Sequence, residues 1–278
     1  MNKRLKPHIP RNIMDRVHIR LYVIRKNTLN SENWNLKNTY SSFWRLYMNF
    51  RGGAKIHTNN QTLDLIPNRI HFIPAWQRFS TSCNAILDHF FIHFDIVGLP
   101  GTLVRDVFDT PTTLPTTPHL IKQAKNLAQN TTEQPQLSNI FSAKALLYQS
   151  LARLIEQLPP EKARRCDAYT QQAEPILPAI QYIDRAYGRS IHNNDLANRC
   201  HLSVDYFIRR FRECVDQTPA QYILERRINA AAQQLVFTND PIEKIAEDSG
   251  FNNRFYFSRM FTRLMGTPPA TYRKMGHV

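Results

Sequence analysis

Two arginines, Arg209 and Arg259, hold equivalent positions in two similar hexapeptides, YFIRRF (206–211) and YFSRMF (256–261). At helical spacing, the two phenylalanines of each hexapeptide fall on one face and the arginine falls on another. An outward arginine can donate two hydrogen bonds to O6 and N7 of guanine in the major groove of DNA. A surface arginine on a helix is more often simply solvated, but its repetition at one position favours base contact.

The same two predicted helices offer further side chains to DNA. Asp205 can accept a hydrogen bond from cytosine N4, and Ile208 or Phe255 suits contact with a thymine methyl group. Side chains at the helix starts are better placed for phosphate contact. The predicted DNA-contacting residues are Ser203, Val204, Asp205, Ile208, Arg209, Arg212, Asn252, Asn253, Arg254, Phe255, Ser258 and Arg259.

The remaining faces of these two helices are expected to pack inward, because their apolar residues recur at the helical period. The predicted inward residues are Phe207, Phe211, Cys214 and Val215 on the first helix, and Phe257, Phe261 and Leu264 on the second, with Tyr256 and Met260 beside them.

The hexapeptides belong to a longer internal repeat. TPAQY (218–222) matches PPATY (268–272), and LANRCHLS (196–203) parallels IAEDSGFN (245–252). Each copy predicts a short helix, a tight turn and a second helix, which is the helix-turn-helix shape whose second helix enters the major groove. Between the copies, residues 220–236 predict an unbroken helix of about 25 Å. A rod of that length suits two DNA-contacting helices set about one DNA turn, ~34 Å, apart.

The first hundred residues predict a different architecture. Short runs with apolar residues at alternate positions, from Val17 to about Phe94, predict β-strands, and their spacing indicates a sandwich or a small barrel. The Pro/Thr run 110–118 is predicted to be a loop or linker. A leucine-rich stripe in 140–158 predicts an amphipathic helix, which would pack on the barrel or form a dimer. The predicted fold class is therefore two-domain, a β-barrel followed by an all-α domain.

Composition narrows the function classes. The net charge of +14 favours a polyanionic partner, although the surplus lies mostly in the first hundred residues. Four cysteines without CxxC pairing argue against a zinc site or a disulfide framework and suit a cytoplasmic protein. We find no apolar run that could span a bilayer, no secretory signal and no catalytic constellation. The chain is therefore predicted not to be an enzyme.

The stretch IAEDSGFNNRFYFSRMFTRLMGTPPATYRK (245–274) resembles the signature region of the AraC/XylS family of bacterial transcription regulators. The resemblance runs through the Gly-Phe turn, the Tyr-Phe-Ser-Arg-x-Phe helix, the Gly-Thr-Pro link and the closing Tyr-Arg. DLANRCHLSVDYFIRRFREC (195–214) is similar to the family's other helix-turn-helix. LDLIPNRIHFIP (63–74) and HFFIHF (89–94) resemble, more weakly, the cupin-like effector domain of the family.

The resemblance implies a homodimeric transcription regulator, an activator or a repressor, in the bacterial cytoplasm and nucleoid, which binds promoter DNA and a small-molecule effector such as a sugar and could contact RNA polymerase. It implies neither a cofactor nor a metal, since His57, His71, His89 and His93 have no evident acidic partner. Aromatic rings suit stacking on an apolar ligand or sugar. The predicted effector-binding residues are Trp44, His71, Phe72, Trp76, Phe79 and His89.

Together these features predict the domain boundaries, which are a basic arm at 1–16, a cupin-like sensor domain at 17–118, dimerisation helices at 119–158, a linker at 159–174 and an AraC-type DNA-binding domain at 175–278. Within the last domain, the helix-turn-helix motifs fall at about 194–215 and 241–265, and the helix that links them at 219–236. The arm carries Lys3, Arg4, Lys6, Arg11 and Arg16 and could contact phosphates, gate the pocket or lie disordered.

Three alternatives stay open beside the ligand-responsive regulator. The barrel could serve only for dimerisation in a constitutive DNA-binding regulator. A cupin-type enzyme with an appended DNA-binding domain would need a metal or catalytic constellation, which the sequence does not display. A DNA-repair fusion of the Ada type would need a clustered-cysteine module, and the spacing of the four cysteines argues against one.

Overall fold

A computed structural model describes residues 17–131 and 135–276 of the 278-residue chain. The predicted basic arm at 1–16 lies outside the described residues. The described strands are β1 His18–Leu29, β2 Trp44–Asn49, β3 Ala54–His57, β4 Thr62–Asp64, β5 Ile70–Ile73, β6 Ser80–Cys83, β7 Leu87–Val97 and β8 Thr112–Leu114.

These strands form two antiparallel sheets. The larger sheet has the order β1-β7-β2-β5-β8, and the smaller has the order β4-β3-β6. Each sheet ends in two unpaired edges, so the described strands do not close into the barrel that the strand spacing indicated. The prediction of an N-terminal sheet region followed by a helical region is confirmed.

The large sheet is covered on both faces. Every residue of β2 is buried, because β2 lies between β7 and β5 with apolar layers above and below it. Leu46 and Met48 point into a core shared with the following helices. Tyr47 points the other way, into a core shared with Ile56 of the small sheet. This alternation follows from the two-residue period of a strand.

Three helices follow the sheets in sequence, with one strand between them. They are α1 Gly101–Val107, α2 Pro118–Gln129 and α3 Leu137–Glu156. Of the predicted stripe, Leu147, Leu151 and Leu154 are buried as expected, whereas Ile155, expected on the same face, is 42% exposed. The Pro/Thr run 110–118 is only partly a loop, because β8 forms inside it and pairs with β5 through Leu114 and Ile70.

The rest of the described chain is helical. Its helices are α4 Pro160–Gln172, α5 Leu177–Ala186, α6 Asn193–Arg199, α7 Val204–Val215, α8 Pro219–Phe237, α9 Ile242–Asp248, α10 Arg254–Met265 and α11 Pro269–Gly276. Residues 159–174, predicted to be a linker, thus contain α4, whose Tyr169 packs into a helical core. No helix in the described part of the chain is long and apolar enough to cross a membrane.

Two separate cores divide the helical region into two lobes. The first lobe contains α5, α6, α7 and the start of α8, with Phe207, Phe211 and Tyr222 in its core. The second lobe contains the end of α8 with α9, α10 and α11, and its core includes Phe257 and Phe261. The helix α8 therefore belongs to both lobes and connects them.

The sheet region packs directly against α8 and the second lobe. An irregularity in the β1–β7 pairing between Leu21 and Val23 turns Tyr22 outward from the ladder. The Tyr22 ring stacks on Phe237 at the end of α8, with ring centroids 5.3 Å apart. Phe43, from the loop before β2, is buried in the core of the second lobe.

Ion pairs join the two regions near the start of α8. Arg105 of α1 binds Glu225 of α8 at 3.0 Å. Next to it, the buried Arg226 pairs with Asp184 of α5 at 2.8 Å and with Asp95 of β7 at 3.8 Å. Burial of these charges is tolerated because each has an opposite partner.

Candidate DNA interface

The outward face of α7 carries the predicted side chains of the first helix. Asp205, Arg209 and Arg212 are exposed, whereas Val204 and Ile208 are half-buried against the core of the first lobe. Phe207, Phe211 and Val215 are buried as predicted. Cys214 was predicted to face inward but is only half-buried, and its thiol donates to the carbonyl of Gln172.

The corresponding face of α10 is also exposed. Arg254, Phe255 and Arg259 are exposed and Ser258 is half-buried. Phe255 stands out, because 85% of an apolar ring is open to solvent with nothing to cover it among the described residues. Phe257, Met260 and Phe261 are buried, and Leu264 is partly buried. Tyr256, predicted beside the core, is 45% exposed, because its position on the helix lies at the boundary between the two faces.

A tyrosine lies next to the repeated arginine on each helix. The guanidinium of Arg209 lies 5.2 Å from the ring centroid of Tyr206, and that of Arg259 lies 5.6 Å from Tyr256. Both tyrosines precede their arginine by three residues, which are neighbours on a helix surface. The local environment of the two arginines is therefore duplicated along with the sequence, a feature that the hexapeptides contain but that we did not predict.

The two turns that precede these helices have the same geometry. His201 and Gly250 both adopt the left-handed conformation, with φ of 56° and 84°. After each, the next N–H returns to a carbonyl five residues back, from Leu202 to Ala197 and from Phe251 to Ala246, both at 3.0 Å. The turn of the second copy uses glycine, for which this conformation carries no steric cost.

The helix starts differ in their capping. The side chain of Asn253 accepts hydrogen bonds from the backbone N–H groups of Phe255 and Tyr256, at 2.8 and 3.0 Å. Its oxygen is therefore occupied, and the predicted phosphate contact falls to its amide nitrogen. Ser203 occupies the same cap position on α7 without a side-chain hydrogen bond. Ser203 and Asn252 are exposed, so both can reach an external phosphate.

The six predicted effector residues do not line one common pocket. Trp44 and Phe72 pack together in the core between sheet and helices, and His71 is buried with hydrogen-bonding contacts to Thr113 and to the carbonyl of Ile66. Phe79 is buried beneath the guanidinium of Arg45. The side chain of Trp76 lies at the interface with α8, 5.1 Å from the guanidinium of Arg105.

Of these six residues, His89 alone lines a cavity of about 420 Å³ between the sheet region and the second lobe. The sheet side contributes Trp34, Tyr47, Phe91 and His93, and the lobe contributes Met265 and Tyr272 among others. The cavity lining contains Arg45 and Arg78 and no acidic side chain. We did not predict this cavity, because its two walls come from segments that are far apart in the sequence.

The histidines of the cavity are held neutral. Burial, with a smaller contribution from the charge of His71, lowers the pKa of His89 to about 3. Burial also lowers the pKa of His93 well below its ordinary value, helped by the positive charge of Arg45. The Nδ1 atom of His89 lies 2.6 Å from Oδ1 of Asn49, a contact in which the ring donates.

Metal binding finds no support in the described residues. Within 17–131 and 135–276, no three His, Cys, Asp or Glu side chains are grouped so that they could hold a metal ion. All four cysteines are free thiols.

Comparison with known proteins places these features in a family. A model described as a helix-turn-helix domain matches residues 196–275. The regulatory protein SoxS of Salmonella typhimurium is 35% identical over 98 residues, which are 35% of this chain and 92% of SoxS. The Msm operon regulatory protein of Streptococcus mutans is 31% identical over 132 residues, 46% of this chain. The chain spans only 45% of that protein, and less than half of several other regulators it matches.

A solved structure resembles the whole arrangement. ToxT from Vibrio cholerae superposes with a TM-score of 0.50 at 15% identity, covering 94% of this chain and 98% of ToxT. At 15% identity, this similarity shows a shared fold alone. The helix-turn-helix match and the near-complete coverage of SoxS agree with the repeated helices seen here, and the chain belongs to the AraC/XylS family of transcription regulators.

Proposed function

We propose that this chain is a sequence-specific transcription regulator that binds two neighbouring major-groove segments of promoter DNA through α7 and α10. The observation that carries the proposal is the pair of repeat-equivalent arginines, Arg209 and Arg259, exposed on helices whose opposite faces are packed in separate cores. The rod between them, α8, has 19 residues and is therefore about 28 Å long. That length is compatible with reading two sites about one DNA turn apart.

The outward side chains of α7 and α10 differ in the DNA groups that they can contact. Arg209 and Arg259 suit guanine, and the exposed ring of Phe255 suits a thymine methyl group. Asp205 suits cytosine N4, and Arg212, Arg254 and Ser258 complete the two outward faces. The exposed Ser203 and Asn252 at the helix starts suit phosphates, and at α7, which has no side-chain cap, the free N–H groups also favour an anion.

In-vitro selection of duplex DNA by the full chain tests this function. Selection should enrich two short sequence boxes about 10 base pairs apart, centre to centre. Enrichment of a single box would contradict the use of both helices, and the absence of any enriched sequence would contradict specific DNA binding.

We further propose that the cavity between the sheet region and the second lobe binds a small-molecule effector. Its lining reaches Met265, Gly266 and Thr267, where α10 ends. A molecule held there contacts both the sensor region and the DNA-contacting lobe, so its binding can favour one arrangement of the two over another. The absence of acidic side chains from the lining favours a neutral or anionic molecule over a cation.

Thermal-shift screening against sugars and small carboxylates tests the effector. A molecule that binds the folded chain but not the unfolded chain raises its melting temperature, by an amount that grows with the ligand concentration relative to its dissociation constant. A compound that stabilises the wild-type chain should stabilise Arg45→Met less, because Arg45 lines the cavity. No stabilising compound in a broad panel would favour the constitutive regulator, whose sheet region serves only for assembly.

The proposal includes a homodimer in the bacterial cytoplasm that acts at promoters. An exposed apolar stripe on α3 supports self-association, since Leu137, Phe141, Tyr148 and Ile155 repeat at intervals of four and seven residues. Activation and a contact with RNA polymerase are predictions that follow from the family alone.

A further inference from the structure

The two helical lobes meet directly beside the start of α10. Gly188, just after α5, lies against the turn between α9 and α10. A Cβ atom at Gly188 would lie 2.8 Å from the carbonyl oxygen of Asp248, and one at Gly250 would lie 2.9 Å from the carbonyl oxygen of Gly188. Backbone therefore packs on backbone at this point, which glycine permits and a larger residue would prevent.

Arg227, near the middle of α8, joins this contact from the side. Its Nε donates to the carbonyl of Tyr187 and its Nη2 donates to the carbonyl of Arg189, both at 2.8 Å. The guanidinium lies 6.0 Å from the ring centroid of Phe251, in the turn of the second lobe. Arg227 therefore bonds the end of α5 in the first lobe while touching the turn that leads into α10. We call this arrangement of Gly188, Arg227 and Gly250 the inter-lobe contact.

The inter-lobe contact adds a constraint that α8 does not supply. Each lobe packs on α8 through its own core, which fixes how far apart the lobes lie along the helix. Direct contact between the lobes additionally fixes how one is turned relative to the other. Because neighbouring base pairs are only about 3.4 Å apart along DNA, a small turn of one lobe moves its helix to another base pair.

We propose that Arg227 is a positioning residue for DNA recognition, which sets the relative orientation of α7 and α10 and thereby restricts the chain to one spacing between its two DNA boxes. This inference rests on the proposed function, because it assumes that both helices bind DNA. It concerns the geometry of recognition rather than contact with bases, since the hydrogen bonds of Arg227 go to backbone carbonyls within the protein.

The test uses the duplex selected by the wild-type chain and versions of it with one base pair removed, or with one or two added, between the boxes. Duplexes with a single box complete the series. Three variants are compared with the wild-type chain. Arg227→Met removes the two hydrogen bonds, and Gly188→Ala forces the lobes apart. Arg199→Met is the matched control, since it removes an equal charge that lies against Tyr182 within the first lobe.

We expect the wild-type chain and Arg199→Met to lose about tenfold or more in affinity when the spacing changes by one base pair, the cost of misplacing one box. In Arg227→Met and Gly188→Ala the preferred spacing should shift or the preference should fall to about threefold or less, with single-box affinity unchanged. Because Gly188→Ala keeps Arg227, it supplies the answer if Arg227→Met fails to fold.

Two results would overturn the inference. An unchanged spacing preference in both variants would show that α8 alone sets the geometry. A uniform loss on all duplexes, including those with a single box, would show that Arg227 only holds the end of α5 against α8 or touches phosphate. A wild-type chain that selects no DNA would overturn the proposed function itself, so the two failures are distinguishable.

Discussion

At the scale of single residues, the proposed DNA interface rests on two arginines held by neighbouring rings. Contact with Tyr206 and Tyr256 restricts the guanidinium groups of Arg209 and Arg259 before DNA arrives, which lowers the entropy lost on binding. We expect Arg209→Ala and Arg259→Ala each to weaken binding to the selected duplex by about 1–3 kcal/mol and to random duplexes by less. Mobility-shift titrations on both duplexes measure the difference.

Arg210→Met is the matched control on the same helix. The guanidinium of Arg210 donates to the carbonyl of Gln172 and to Glu213, so it is engaged within the protein. Its replacement should leave the ratio between selected and random DNA unchanged. Equal losses on the two kinds of duplex for Arg209→Ala and Arg259→Ala would instead mean that these arginines contact phosphates only.

At the scale of elements, α3 presents one face to the core and another, apolar, face to solvent. A second copy of the chain would cover Leu137, Phe141 and Ile155, whose large side chains are exposed. We expect Phe141→Glu to convert the dimer into a monomer, because a carboxylate in an apolar interface loses its hydration. Sedimentation velocity distinguishes the two states, and Asn60→Glu in the exposed turn between β3 and β4, outside the predicted dimerisation helices, is the charge-matched control. A wild-type chain that sediments as a monomer would refute dimerisation through α3.

At the scale of the whole molecule, buried neutral histidines link stability to pH. Burial lowers the pKa of His71 to about 4 and that of His89 to about 3. Unfolded histidine takes up a proton near pH 6.5, so the stability that these groups contribute is complete above that pH. As pH falls below 6.5, the unfolded state gains protons first, and each histidine costs about 1.4 kcal/mol per pH unit until its folded pKa is reached.

Denaturant unfolding at pH 7.5, 6.5 and 5.5 measures this loss. The wild-type free energy of unfolding should fall between pH 6.5 and 5.5, and the fall should be shallower in His89→Phe, which removes one titrating group among aromatic neighbours. If the free energy of unfolding depended on pH identically in the two proteins, His89 would not be a source of the stability lost at low pH.

The helical half was predictable because its signals are local. Apolar spacing along α7 and α10 placed Phe207, Phe211, Phe257 and Phe261 in the cores, and these assignments are confirmed. The repeat identified both turns. Tyr256, expected either beside the core or facing phosphate, is 45% exposed. Its position lies at the boundary between the two faces of α10, and helix periodicity does not assign such a position to one face.

The sheet region was harder to predict from the sequence, because its strand pairing and its cavity depend on residues that lie far apart along the chain. Thr112–Leu114 forms a strand only because Ile70 and its neighbours offer an edge some forty residues earlier. Trp44 and Phe72 have the aromatic character of ligand-binding residues, yet both are enclosed by the core. The cavity joins Thr28 to Tyr272, and no local pattern connects residues so far apart.

The burial of Phe43 in the core of the second lobe limits how freely this chain can be rearranged by protein engineering. A chimera that joined the helical region to a different N-terminal domain would remove Phe43 and Tyr22 and leave Phe237 without its stacking partner. The uncovered surface would need new apolar partners of similar shape. Exchange of the sheet region therefore requires a junction that retains the first strands of the large sheet, because part of the core of the second lobe is encoded more than two hundred residues before α10.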